Sequence, residues 1–152
     1  MSTGMQPASD LRLVVGYDGS PPATRALDAA AILLQGRTGR IDVVYVAHLP
    51  STAAFSPGGI AELEIAFDDV ERELRTMAGE QLANRQESWV FERRQGLIGE
   101  ELLAAAGEIS AAHPSATVVI VVGSSSHAAH RVVGSVAVGL ARHSPVPLVV
   151  VP

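Results

Sequence analysis

The unbroken apolar run Val118-Val119-Ile120-Val121-Val122 constrains the fold more than any other stretch of the chain. A strand with one wet face alternates apolar and polar residues. A continuous β-branched run instead implies burial on both faces, as in a parallel strand between two helix layers. The run ends at Gly123-Ser124-Ser125-Ser126, and Gly134-Ser135 stands beyond ten intervening residues. Gly134 or Ser135 can cap a short helix over Val136 to Arg142, whose first-turn N–H groups and positive dipole end point back at the loop. A strand, a small-residue loop and a helix start can hold an anion, phosphate in particular, on backbone donors. An ordinary βα connection fits the same residues.

The rest of the chain supplies partners for that strand. Leu11 to Val15 is a short apolar strand, closed by Gly16-Tyr17-Asp18-Gly19-Ser20-Pro21-Pro22. Ser20 is a good N-cap and Pro21 sits where a missing N–H costs nothing, so a helix starts near Pro21 and runs to Gly36. Ile41 to Val46, extended to Ala47, is the second strand. His48 to Gly59 is a loop rich in Pro, Gly, Ser and Thr, longer than most connections and able to serve as a lid. Phe55 in that loop can pack on the core or over a ligand.

Ile60, Leu63, Phe67, Val70, Leu74 and Met77 recur at helical spacing, with Glu62, Asp68, Asp69, Glu71, Arg72, Glu73 and Arg75 on the other face as a solvated surface rather than an ion site. Ser88 to Arg94 ends in Glu92-Arg93-Arg94, which suits a strand at or near a sheet edge. Leu97 to Ile109 gives another helical stripe, stopped near His113-Pro114. Pro147 to Pro152 closes the order as a fifth strand.

Strands and helices thus alternate along one domain, residues 11–152, after a flexible polar segment at residues 1–10. The expectation is an α/β fold: an open five-stranded parallel sheet with helices on both faces, Rossmann-like. In such sheets ligands bind outside the carboxyl ends of the strands, where the strand order reverses. That rule sets Gly16 to Ser20 beside Gly123 to Ser135, so the two loops richest in Gly and Ser share one crevice.

Composition narrows the chemistry. All 11 basic residues are Arg, which excludes a Schiff-base lysine and a lysine-bearing phosphate loop. With no Cys, disulfides and thiolate chemistry are excluded as well. Net charge is −5 and no basic cluster interleaves with aromatics, so no nucleic-acid partner is expected. Residues 1–10 lack the pattern of a signal peptide, and no apolar run nears the roughly 20 residues a bilayer span needs. Cytoplasmic residence, away from membranes, is the expectation.

Val14-Val15-Gly16-Tyr17-Asp18-Gly19-Ser20, Val121-Val122-Gly123-Ser124, Gly134-Ser135-Val136-Ala137 and Ser144-Pro145-Val146-Pro147-Leu148-Val149-Val150-Val151 occur in the order shown by the universal stress protein family, which the chain resembles over nearly its whole length. The resemblance implies an α/β sandwich of the adenine-nucleotide-alpha-hydrolase-like kind. It implies further that ATP, with Mg²⁺, is held by a loop of Gly, two residues, Gly, nine residues, then Gly-Ser or Gly-Thr. Carried over by position, Gly123 and Ser124 open that loop, Gly134 and Ser135 close it, Asp18 lies near ribose and phosphates, and the Val46 backbone meets adenine. Ser126 stands where the second Gly belongs, and the interval from Gly123 to Gly134 is two residues short.

Ser126, His127, His130 and Arg131 are candidate phosphate contacts within that interval, or else part of a solvated loop. His127 and His130 lack a third ligand, so no metal site is expected. Asp18 before Gly is equally a turn residue. The resulting expectation is a regulatory module of the stress response that dimerises through Leu148 to Val151, binds ATP and serves a regulatory protein partner. At most it hydrolyses ATP weakly. The alternative is the same fold acting as a nucleotide-free interaction and dimerisation module.

Overall fold

The computed structural model describes residues 9–48, 57–124 and 134–152. Nine elements follow in strict alternation: β1 (Leu11–Gly16), α1 (Pro21–Leu34), β2 (Gly39–Ala47), α2 (Gly59–Leu82), β3 (Trp89–Gln95), α3 (Ile98–Ala112), β4 (Thr117–Gly123), α4 (Ser135–His143) and β5 (Leu148–Val151). The strands form one sheet in the order β3-β2-β1-β4-β5, every pair parallel. The chain moves outward from β1 to β3, crosses back over β2 and β1 to β4, and ends at β5. Reversing the direction of travel carries α1 and α2 onto one face of the sheet and α3 and α4 onto the other.

The β-branched run behaves as its composition demands. Val121 packs with Leu13, Val15, Ile41 and Val43 against Ala26, Leu27, Ala30 and Leu34 of α1. Its neighbours Val118, Ile120 and Val122 join Val14 and Val44 on the opposite face, under Leu102, Ala105 and Ala106 of α3 and Leu140 of α4. Alanines at the helix contacts let backbone come close to sheet, which is why a chain with few aromatics still closes its core.

α1 begins as its sequence dictates. Ser20 is the N-cap and accepts from the Ala23 N–H, with Pro21 and Pro22 in the first turn. Its C-cap is Gln35, with Gly36 one residue beyond at φ +72°, so the glycine serves as the left-handed residue after the cap. Ahead of β1 the Asp10 carbonyl accepts the Thr117 N–H at 2.8 Å and the Asp10 carboxylate holds Arg12 at 2.8 Å. The loop expected over His48 to Gly59, Phe55 included, lies mostly outside the described residues.

α2 departs from expectation in its first half. Of the six apolar positions in the stripe only Leu74 is buried, joined by Ala78 and Leu82, whereas Ile60, Val70 and Met77 are exposed. The first half of α2 meets the sheet through polar groups instead: Glu64, Asp68 and Glu71 face Arg93, and Gln95 donates to Glu64, at the end of β3.

β3 is the edge strand its charges indicate. Arg93 turns toward α2 and meets Asp68 at 2.7 Å, Glu64 at 3.2 Å and Glu71 at 3.5 Å. Arg94, one residue on, points to the other face and meets Glu92 at 2.9 Å, Glu101 at 3.6 Å and the Glu108 carboxylate. Period-two alternation thus puts two consecutive arginines into two different helix layers. Arg75 adds a cation–π contact, 5.0 Å from the Phe91 ring centre. No described helix is long and apolar enough to cross a membrane.

Asp42 is the one buried charged side chain among the described residues, held by Arg40 Nη2 at 2.7 Å on the same face of β2. Removing the arginine leaves a desolvated carboxylate without its partner. Arg40→Ala is expected to cost about 1–3 kcal/mol in urea denaturation, and adding Asp42→Val, which takes the charge away, to restore most of it.

Candidate functional site

The carboxyl ends of β1, β2 and β4 and the amino ends of α1, α3 and α4 enclose a cleft of about 310 Å³. Its position follows from the strand order, since β1 and β4 are the neighbours whose connections leave in opposite directions. Val44, Val46, Val122, Ile98 and Leu102 supply an apolar wall, and Asp18, Ser20, Ser124 and Ser135 the polar one.

All six residues assigned to the site from sequence, Asp18, Val46, Gly123, Ser124, Gly134 and Ser135, line this cleft although they come from four different segments. Ser126, His127, His130 and Arg131 lie outside the described residues. Tyr17, Pro22, Val44, Tyr45, Ile98 and Leu102 also line it and were not singled out, because Tyr17 and Pro22 read as turn and helix start and the other four belong to runs that read as core. Their position at the ends of the first two strands and the start of α3 was the available signal.

Asp18 reconciles its two readings. Its Oδ1 accepts the Ser20 N–H at 3.0 Å, closing the turn that leads into α1, while the carboxylate stays exposed at the mouth of the cleft. Its charge is felt by both tyrosines nearby. Burial pushes the Tyr17 hydroxyl above its ordinary range; the hydrogen bond to Thr24 opposes the shift and Asp18 adds to it. Tyr45 is likewise pushed up by burial, with Arg93 opposing and Asp18 reinforcing.

The two ends of the β4–α4 segment differ in what they can donate. The Ser124 N–H is already engaged by the Val151 carbonyl at 2.7 Å, so only the Ser124 hydroxyl is left to meet a ligand, contrary to the expectation of a backbone donor there. Gly134 is the N-cap of α4 and provides no side-chain cap. The first amides of α4, at Ser135, Val136 and Ala137, have no partner among the described residues, and they stand at the positive end of the helix dipole.

Gly123 carries a steric duty beyond any contact with ligand. A Cβ built there would lie 2.4 Å from the Pro22 carbonyl oxygen and 2.5 Å from its carbon, because the first turn of α1 rests directly on the end of β4. Backbone cannot rotate away as a side chain can.

A doubly wound α/β domain with an apolar and hydroxyl-lined cleft at its strand-order reversal belongs to the class that receives small ligands at this place. The chain belongs to the universal stress protein family, whose model matches residues 11–152. Among solved structures it is similar to the universal stress protein UspA from Lactobacillus plantarum, at 21% identity and TM-score 0.73 over 95% of this chain and 99% of that one. It is also similar to a universal stress protein in complex with cAMP, at 22% identity and TM-score 0.64 over 95% of this chain and 98% of that one. A third is a family protein from Arabidopsis thaliana with AMP bound, at 11% identity and TM-score 0.63 over 93% of this chain and 90% of that one. At these identities the likeness shows the fold. A search of the curated proteins gives no match.

Gly123→Ala is expected to lower stability by about 3 kcal/mol through the collision with Pro22. Gly107→Ala, at an exposed position of α3 where a Cβ meets nothing within 4 Å, is expected to raise it by about 0.5–1 kcal/mol. Denaturant midpoints of the two variants check both signs.

Proposed function

We propose that the chain is a regulatory module of the stress response that binds an adenine nucleotide in the β1–β4 cleft, as a ligand rather than as a substrate for turnover. The observation that carries this reading is the convergence of Asp18 and the open amino end of α4 on one cleft whose aliphatic side includes Val46. The aliphatic wall suits a base, the Val46 backbone its edge, Asp18 a ribose hydroxyl and the α4 amides a phosphate. The cAMP and AMP named with two proteins of the same fold support an adenine nucleotide as the kind of ligand. ATP with Mg²⁺ is the ligand that the family resemblance implies, and the cytoplasm is the compartment.

The cleft's described side chains supply hydroxyls and one carboxylate, and Oδ1 of that carboxylate is engaged by the Ser20 N–H, which favours binding over catalysis. A nucleotide-free interaction module is the second reading. It is favoured by Ser126 in the place of a glycine and by the engaged Ser124 amide.

Gly134→Asp separates the two. Gly134 has φ −61° and ψ 157°, a conformation any residue adopts, and Asp is a strong N-cap that would satisfy the α4 amides itself. Wild-type protein is expected to give saturable heat with AMP or ATP in calorimetric titration, and the variant to keep its stability while losing that heat. Binding that survives the substitution would place the nucleotide elsewhere, and no heat in the wild type would favour the second reading.

Homodimerisation is proposed through β5. Leu148 to Val151 form an end strand with one side unpaired, all four half-buried and contributing to both core layers. Light scattering at micromolar concentration is expected to return twice the chain mass, and Val149→Lys to return a monomer. A regulatory protein that reads the dimer is the remaining partner of this reading.

A further inference from the structure

The acidity of the molecule is local to one helix. α2, Gly59–Leu82, contains seven carboxylates and two arginines, a net charge of −5 that equals the net charge of the whole chain. Acidic and basic residues balance everywhere else.

The same helix leaves apolar side chains in water. Ile60, Leu63, Phe67, Val70, Leu74 and Met77 follow one another by three and four residues without a break, and only Leu74 of the six is buried. Ile60 is 57% exposed, Val70 and Met77 37% each. Leu63, Val70 and Met77, seven residues apart, form one row along the flank of the helix. Glu62, Asp69, Glu73 and Glu80 form a second row beside it: Glu73 and Glu80 stand one turn after Val70 and Met77, and Glu62 and Asp69 directly precede Leu63 and Val70. All four acids are exposed, Asp69 holding Arg72 at 3.0 Å. Glu64, Asp68 and Glu71 lie on the other side of the apolar stripe, turned to Arg93.

An apolar row with carboxylates alongside fits an amphipathic helix that lays leucine-like side chains on the row and arginine or lysine on the acids. The same charge repels nucleic acid and anionic lipid. It also disfavours a second copy. Laid antiparallel, a second α2 sets the acidic row against itself; laid parallel, it sets the row against Glu64 and Glu71.

We propose that this flank of α2 is a docking surface for a basic amphipathic helix of a partner protein. No α2 residue lines the cleft, so the inference goes beyond the nucleotide reading and does not depend on it. It gives the regulatory partner a place and a chemistry.

Fluorescence anisotropy tests it on the full chain with a labelled synthetic peptide of Leu, Ala and Arg, about 18 residues long, with Leu on one helical face and Arg on the other. A peptide of the same composition in scrambled order is the control. The amphipathic peptide is expected to bind at least about tenfold more tightly than the scrambled one at physiological salt, a margin that charge attraction alone does not give. Val70→Gln is expected to lower its affinity several-fold and to leave the thermal midpoint in place, since the residue is already exposed. Glu73→Gln combined with Glu80→Gln is expected to lower affinity and to flatten its dependence on salt. Equal binding of the two peptides, binding of neither, or undiminished affinity in Val70→Gln would overturn the inference. So would a Val149→Lys chain that stays dimeric until Val70→Gln is added, because the flank would then belong to a second copy.

Discussion

The contact between the end of β4 and the first turn of α1 is the constraint on which the rest depends. Gly123 lies so close to the Pro22 carbonyl that no side chain fits between them. That approach fixes the height of α1 above the sheet. It thereby brings the turn carrying Asp18 level with the end of β4 and with the start of α4 on the opposite face. The cleft is what remains open at this corner after the backbones have closed to contact. A glycine that sequence reasoning assigns to phosphate is thus, in the folded chain, first a packing residue.

The order of elements was legible because its signals are local. Ser20 before Pro21-Pro22, Gly36 after the last apolar residue of α1 and Pro114 after α3 each act within one turn of the chain. The unbroken run in β4 announced burial on both faces, and the two Gly- and Ser-rich loops met at the crevice that the strand order defines. What escaped notice depends on distant partners. The Ser124 amide looks free until Val151 returns to pair with it. Asp42 looks like an interruption in a strand until it is seen buried and held by Arg40. Tyr45 and Leu102 sit in apolar runs whose periodicity says which face they share and nothing about where the sheet ends.

The same limit explains α2. Helical spacing identified the stripe from Ile60 to Met77 correctly as one face, but burial of a face needs a surface opposite it. Leu74 finds the core, whereas Ile60, Val70 and Met77 of the same stripe do not. Periodicity measures an angle around an axis, whereas burial also depends on position along it.

The back-to-back arginines of β3 bear on how the molecule can associate. Arg93 and Arg94 tie one rim of the sheet to α2 on one side and α3 on the other, so ionic groups flank the hydrogen-bonding edge of that strand. β5, at the opposite rim, is a plain apolar tetrapeptide. A sheet with two such plain rims could add copies without end, whereas a sheet with one is used up by its first pairing. Were β5 to pair with a second copy, as proposed, the charges on β3 would work as a terminator and favour a closed assembly over a fibre.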